Sequence, residues 1–265
     1  LFKLLWQSES KLLKKRLDQL LVDLGYAPSR TKAKELIERG AVLVTDLESG
    51  ARIKELKASS QFLKDKIQIN LNQADELLKY VSRAGLKLEG AIKDLNLNIK
   101  NKTCLDVGQS TGGFTDCLLA LGAKQVTGIE VGKDQLHEKL KTDKRVESYE
   151  NLNIRDARNI AALKAQKFDF IVVDVSFISL RLVLPEVYPF LNQGGELLAL
   201  VKPQFELSAS ALNKKGIVKD KGDYLVIKNS LMDLCKNLNL KVEAYIESAL
   251  PGRDGNQEFF IYAKN

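Results

Sequence analysis

The stretch CLDVGQSTGGFTD, residues 104–116, places four residues of strand character before Gly108, Gly112 and Gly113, and a helical pattern from about Phe114 onward. Glycines at such a junction let the backbone turn sharply and approach a ligand closely, as in nucleotide-binding strand-turn-helix units. The stretch lacks the Gly-Lys-Ser/Thr ending of a phosphate-binding loop, which disfavours a nucleoside triphosphate. Glycine spacing alone leaves a dinucleotide open. Two acids narrow the choice: Asp106 closes the first strand, and Glu130 closes the next, QVTGIE (125–130), where a carboxylate can accept both hydroxyls of an adenosyl ribose.

Working outward, apolar strand patterns alternate with helical ones. Strands are expected at TCLDV (103–107), QVTGIE, Val146–Tyr149, FDFIVVDV (168–175), ELLALV (196–201), KVEAYIES (241–248) and EFFIYA (258–263). This rhythm predicts an α/β domain with a seven-stranded, mostly parallel sheet covered by helices on both faces. The last two strands leave no room for a helix between them and are expected to pair as an antiparallel hairpin at the sheet edge. Asp174 and Lys202 each follow a long apolar run at the carboxyl end of a strand, where open sheets of this kind place their ligands.

On the other side of the turn the composition shifts. Residues 1–70 hold 14 of the 41 lysines and arginines against 9 of the 34 acids, so +5 of the net charge of +7 lies in the first quarter of the chain. A concentrated positive patch attracts a phosphate backbone by releasing its counterions. Leu17, Leu20, Leu21 and Leu24 fall on one helix face stopped by Gly25; Ser29 is placed to cap a second helix, with Ala33, Leu36 and Ile37 on its inner face, that ends at Gly40. AVLVTD (41–46) and DKIQIN (65–70) read as short strands around an irregular connection.

Composition closes off other classes. Apolar residues at 45% and charged residues at 28% describe an ordinary folded chain. The most apolar stretch, Phe168 to Leu184, is interrupted by Asp169, Asp174 and Arg181, so no membrane span is expected. The opening LFKLLWQSESKLLKKR has neither the long apolar core nor the cleavage site of a secretory signal. Three widely spaced cysteines, Cys104, Cys117 and Cys235, indicate neither a disulfide framework nor a zinc site, and a cytoplasmic location is expected. The single histidine, His137, has no partner at metal-ligand spacing and reads as a surface or packing residue; no metal is expected.

Two resemblances extend these readings. RLDQLLVDLGYAPSRTKAKELIERGAVLV (16–44), followed by DKIQI, resembles the S-four-type RNA-binding domain, an α+β fold. That resemblance implies RNA contacts at Arg16, Arg30, Lys32, Lys34 and Arg39. TDLESGAR (45–52) stands where that family has a tight Asn-Gly turn, so a longer hairpin is expected. YVSRAGLKLEGA (80–91), CLDVGQSTGGFT, FIVVDVSFIS (170–179), LLALVKPQFE (197–206) and GRDGNQEFFIY (252–262) occur in the order found in the TlyA/FtsJ-like 2′-O-ribose methyltransferases, and the preceding RNA-binding pattern resembles the TlyA branch. The resemblance implies a Rossmann-like, S-adenosylmethionine-dependent methyltransferase domain acting on ribosomal RNA or a ribosomal subunit, at a cytidine. The implied donor contacts are Asp106, Gly108, Ser110, Thr111, Gly112, Gly113, Phe114, Glu130, Asn153 and Asp174. Gln109, Glu130 and Lys133 depart from the usual small residue, Asp and Tyr.

The same resemblance implies a catalytic tetrad of Lys87, Asp174, Lys202 and Glu258. A ribose hydroxyl is a weak acid and a weak nucleophile, so its proton must be removed, or its oxygen oriented, during attack on a methyl group. Lys202 is the candidate base, with its charge balance set by burial and Lys87 on one side and by Asp174 on the other. Glu258 is expected to begin an edge strand. Lys202-Pro203 also differs from the Asn/Asp-Pro-Pro-aromatic motif of amino-group methyltransferases. The implied organisation is an N-terminal extension (1–13), the RNA-binding domain (14–70), a linker (71–81) and the methyltransferase domain (82–265). A non-enzymatic RNA-binding or ribosome-assembly protein is the alternative. A haemolysin, a label also attached to the TlyA branch, is a third reading.

Overall fold

The computed structural model describes residues 14–27, 29–38, 40–53, 55–71, 79–252 and 255–265. The chain separates into two units, Leu1–Lys79 and Tyr80–Asn265. The expected N-terminal extension, 1–13, lies outside the described residues, as does Arg39.

In the first unit, β1 (Lys15–Arg16) leads into α1 (Leu17–Asp23) and α2 (Arg30–Glu38), followed by β2 (Val42–Asp46), β3 (Arg52–Ile53), β4 (Gln61–Phe62) and β5 (Ile67–Leu71). The expected apolar face is the one that packs: Leu17, Leu20, Leu21, Ala33, Leu36 and Val44 are all buried. Gly25 and Gly40 follow the two helices at φ +75° and +73°, the left-handed conformation that ends a helix cheaply only with glycine. Ser29 Oγ accepts from the Lys32 amide at 3.2 Å. The three-stranded sheet runs β3-β2-β5, all antiparallel. The β2–β3 hairpin closes through the five residues 47–51, and the carboxylate of Asp46 at the end of β2 accepts from the amides of Glu48 and Ser49, at 3.1 and 2.8 Å. That Asx-type capping does the work of the missing Asn-Gly pair.

The second unit contains α3 (Ala84–Asp94), β6 (Thr103–Val107), α4 (Gly113–Ala120), β7 (Gln125–Ile129), α5 (Glu138–Lys141), β8 (Val146–Tyr149), α6 (Ala161–Lys164), β9 (Phe168–Val173), α7 (Leu180–Val187), β10 (Leu191–Val201), α8 (Pro203–Glu206), α9 (Asp223–Asn237), β11 (Lys241–Glu247) and β12 (Phe259–Lys264). Its seven strands are ordered β11-β12-β10-β9-β6-β7-β8, with β12 antiparallel to both neighbours and the other ladders parallel. This is the predicted α/β architecture. Side chains alternate between two cores, as the period of two requires. Leu105, Val107, Ile171, Val173, Ala199, Val201 and Ile261 meet Val183, Ile227 and Leu231 on one face. Cys104, Phe170, Val172, Leu198, Leu200 and Phe260 meet Leu88, Ile92, Phe114 and Leu118 on the other.

Two expectations need correction. β10 begins at Leu191 instead of Glu196: Leu191 pairs with Phe168 of β9 and Glu196 with Phe170, so Asn192–Gly195 form a bulge inserted within the strand. Glu258 does not precede an edge strand. β12 lies between β10 and β11, and Glu258 is only 3% exposed.

Candidate active site

The chain passes from β6 toward β7 and β8 in one direction and from β9 to β10 in the other, so strand order reverses between β6 and β9. In open α/β sheets the crevice at the carboxyl ends of such a pair is where ligands bind. Gly108 follows β6 there and Asp174 follows β9. Gly108 has φ +86°, and a Cβ on it would lie 2.4 Å from the carbonyl oxygen of Asp174. No other residue fits that crossing without displacing backbone.

A cavity of about 430 Å³ opens at this crevice, within the range of small-molecule sites. Its wall includes Gly108, Ser110, Glu130, Asn153, Asp174 and Phe177. The Glu130 carboxylate, 7% exposed, accepts from the Ser110 amide at one oxygen and from the Gly132 amide at the other, both at 2.8 Å. Each oxygen keeps a second lone pair, so the carboxylate is fixed in orientation yet able to accept two further donors, such as vicinal hydroxyls. Thus five of the ten sequence-derived donor contacts, Gly108, Ser110, Glu130, Asn153 and Asp174, share one cavity wall.

The other five lie behind it. Phe114 stacks with Phe260 inside the α3/α4 core, ring centroids 6.3 Å apart. Gly113 packs against Ser82, Gly112 packs against Leu136 and Leu140, and the Thr111 carbonyl accepts from the His137 amide. Asp106 is fully buried; burial pushes its carboxyl up to about 7, partly offset by a hydrogen bond from Thr115 Oγ1 at 2.7 Å. Gln109 Nε2 donates to the same hydroxyl at 3.0 Å and its Oε1 accepts from Ser148 at 2.6 Å. This buried chain ties β6, α4 and β8 together beneath the turn, which accounts for a large residue at position 109.

Residues 106, 174, 202 and 258 share the strand parity of Cys104, Phe170, Leu198 and Phe260, which places all four on the sheet face covered by α3. Lys87, on α3, completes the group: its Nζ donates to Glu258 Oε2 at 2.5 Å, with side-chain exposures of 10% and 3%. Lys202 Nζ lies 2.6 Å from Asp174 Oδ1 and donates to Ser176 Oγ at 2.9 Å. Val201 pairs directly with Phe259, so Lys202 and Glu258 occupy the next positions of the same ladder. Lys87, Glu258, Lys202 and Asp174 therefore form two ion pairs on one edge of one face, and Asp174 belongs to both the cavity wall and the lysine pair. Ser176 was not singled out by sequence; its only signal there is its place two residues after Asp174.

His137 precedes α5, where its Nδ1 accepts from the Lys139 amide at 3.2 Å. No group of three potential metal ligands occurs among the described residues. The three cysteines are buried and form no disulfide, and burial pushes the Cys235 thiol up to about 11.

In the first unit, Arg16 and Arg30 both contact Asp18, at 3.0 and 2.8 Å, with each arginine about half exposed. Lys34 is 61% exposed beside Glu38, and Lys32 is largely covered, 3.9 Å from Glu35. Of the RNA contacts expected on α2, Arg30 and Lys34 are therefore exposed, and Lys32 is largely covered.

Comparison with known proteins matches residues 80–265 to the FtsJ-like methyltransferase family and residues 15–44 to the S4 domain. The chain is 39% identical to YqxC of Bacillus subtilis, provisionally named an rRNA methyltransferase, over 94% of this chain and 85% of that one. It is 34% identical to the 23S rRNA (cytidine-2′-O)-methyltransferase TlyA of Campylobacter jejuni, over 88% of this chain and 93% of the relative. A solved structure provisionally described as a hemolysin from Streptococcus thermophilus superposes with a TM-score of 0.70 and 34% identity, covering 95% of this chain and 88% of that one.

Proposed function

Because this chain belongs to the FtsJ-like methyltransferase family, we propose that it methylates a ribose 2′-hydroxyl of ribosomal RNA, at a cytidine, with S-adenosylmethionine as donor. The observation that carries the reading is the double position of Asp174, in the wall of the ligand cavity and 2.6 Å from the Lys202 ammonium. A methyl donor and a hydroxyl acceptor have to meet at one point, and Asp174 marks it.

The residues present suit the donor. Gly108 gives close backbone approach, Glu130 offers two oriented oxygens for ribose hydroxyls, and Asn153 and Ser110 add polar contacts on the same wall. When bound, S-adenosylmethionine supplies an electrophilic methyl group. Lys202, steadied by Asp174 and Ser176, orients the 2′-hydroxyl for attack, and the Lys202–Asp174 pair takes up the proton that the hydroxyl loses. Lys87 supplies a fixed positive charge for the developing oxyanion, and Glu258 keeps Lys87 in place. In this reading residues 14–70 dock RNA and residues 82–265 carry the chemistry, joined by 71–81. A ribosomal substrate places the activity in the cytoplasm.

No helix among the described residues is long and apolar enough to cross a membrane. Calorimetric titration with S-adenosylmethionine is the discriminating test. Saturable binding that is lost in Glu130→Ala is expected; no binding, even with rRNA present, would leave the non-enzymatic RNA-binding reading in its place.

A further inference from the structure

Beyond the N-terminal unit, the catalytic unit carries its own concentration of positive charge. Residues 213–221, Asn-Lys-Lys-Gly-Ile-Val-Lys-Asp-Lys, hold four lysines against one aspartate. The segment is a built hairpin. Leu212 bridges to Val218, and the Asn213 amide donates to the Ile217 carbonyl at 2.8 Å. The Asn213 carboxamide accepts from the amides of Lys215 and Ile217, and Gly216 turns the chain at φ +74°. Lys219 is spent on the fold, donating to the Ser210 carbonyl at 2.8 Å. Lys214, Lys215 and Lys221 are exposed and make no ion pair among the described residues.

The hairpin is pinned to the catalytic edge by one side chain. Asn256 is 1% exposed; its Nδ2 donates to the Gly216 carbonyl at 2.9 Å and its Oδ1 accepts from the Val218 amide at 3.1 Å. Two residues later comes Glu258, the partner of Lys87. The Asn256 carbonyl accepts from the Gly252 amide, and a Cβ on Gly252 would lie 2.6 Å from Glu258 Oε1. A loop that merely solvated the surface would not need a buried carboxamide to hold both of its strands against the active-site edge.

We propose that the hairpin 212–218, with Lys214, Lys215 and Lys221, is a second RNA-binding element that grips the phosphate backbone beside the target nucleotide, and that Asn256 sets its position relative to Glu258. The proposal rests on the rRNA methyltransferase reading. A preorganised hairpin loses little entropy on binding, and each lysine that neutralises a phosphate releases counterions. The competing partner is an acidic lipid surface, since Leu225 and Val226 are exposed on α9 just beyond the loop. RNA is favoured because the hairpin is tied to the edge where the acceptor hydroxyl must arrive.

The test compares the full chain with Lys214→Gln/Lys215→Gln/Lys221→Gln in binding to purified ribosomal subunits over a series of salt concentrations. The control is Lys100→Gln/Lys124→Gln/Lys144→Gln, three exposed lysines that precede the parallel strands β6, β7 and β8 and so lie at their amino ends, away from the carboxyl ends that carry the site. Removing three phosphate contacts should lower the slope of log affinity against log salt by about two to three, raise KM for RNA and leave kcat at saturating RNA unchanged. The control should keep the wild-type slope. An unaltered slope in the hairpin variant, or an equal loss in the control, overturns the proposal while leaving the methyltransferase reading intact. Retention of the hairpin variant on RNA together with its loss from phosphatidylserine vesicles would assign the lysines to lipid and overturn it as well. Absence of RNA binding by the wild-type chain would refute the functional reading on which it rests.

Discussion

In the N-terminal unit two arginines converge on a single carboxylate, Asp18, whereas in the catalytic unit Lys87 and Lys202 each face a carboxylate of their own. The first arrangement ties α1 to the start of α2 and leaves both guanidinium groups half exposed. It stabilises the fold and still presents positive charge to solvent. The second removes four charged groups from most of their water at the open end of a sheet. Lys87 and Glu258 are nearly buried, and such pairs recover little more than their desolvation cost. Under the proposed function, charges held at that cost beside a cavity that one of them lines serve chemistry more than stability.

The largest expected effect separates these roles by rate. Lys202→Ala should slow single-turnover methyl transfer by about 100- to 10,000-fold while donor affinity and far-ultraviolet circular dichroism stay near wild type. Near-normal turnover would move the hydroxyl-directed role to Lys87. Next comes Lys87→Met, which strands Glu258 as a buried, unpaired carboxylate and should cost about 3–5 kcal/mol in urea unfolding. Adding Glu258→Leu should recover most of that stability without recovering transfer. Stability and activity returning together would show that the pair is only structural.

Gly108→Ala is expected to cost about 1–3 kcal/mol and to weaken donor binding, because φ +86° and the Asp174 carbonyl at 2.4 Å both reject a Cβ. Unchanged calorimetric affinity would separate the turn from the donor site. The smallest effect belongs to the arginine clamp. Asp18→Asn should destabilise by about 1 kcal/mol or less at neutral pH, since solvent screens the half-exposed guanidinium groups that pair with it. The arginine beside it lowers the Asp18 carboxyl to about 2 from an ordinary 3.8. A depressed carboxyl contributes fully above its unfolded value and loses that contribution as pH falls toward its folded one. The stability gap between wild type and variant should therefore close between pH 3.8 and 2.

Much of the candidate site is legible in the sequence. Apolar runs ending in Asp174 and Lys202 identify carboxyl-end residues of interior strands, and the glycine cluster after an apolar strand marks the turn. What adjacency cannot give is direction. Thr111 to Phe114 adjoin the turn in sequence, but the start of α4 points them into packing with Leu140, Ser82 and Phe260. Glu258 before an apolar strand reads the same for an edge strand as for an interior one, because strand order is a property of the whole sheet. Asp18 gives no signal of its own among the leucines of α1; its role appears only when α2 brings Arg30 to it. Ser176 and Asn256 are likewise visible only through their partners.

The most direct measurement is nucleoside analysis of ribosomal subunits incubated with the purified chain and S-adenosylmethionine carrying an isotopically labelled methyl group. The label should appear as ribose 2′-O-methylcytidine and be absent when Lys202→Ala replaces the wild type. Label on a base, or the same ribose label from Lys202→Ala, would contradict the assignment of the Asp174–Lys202 edge as the place where methyl transfer occurs.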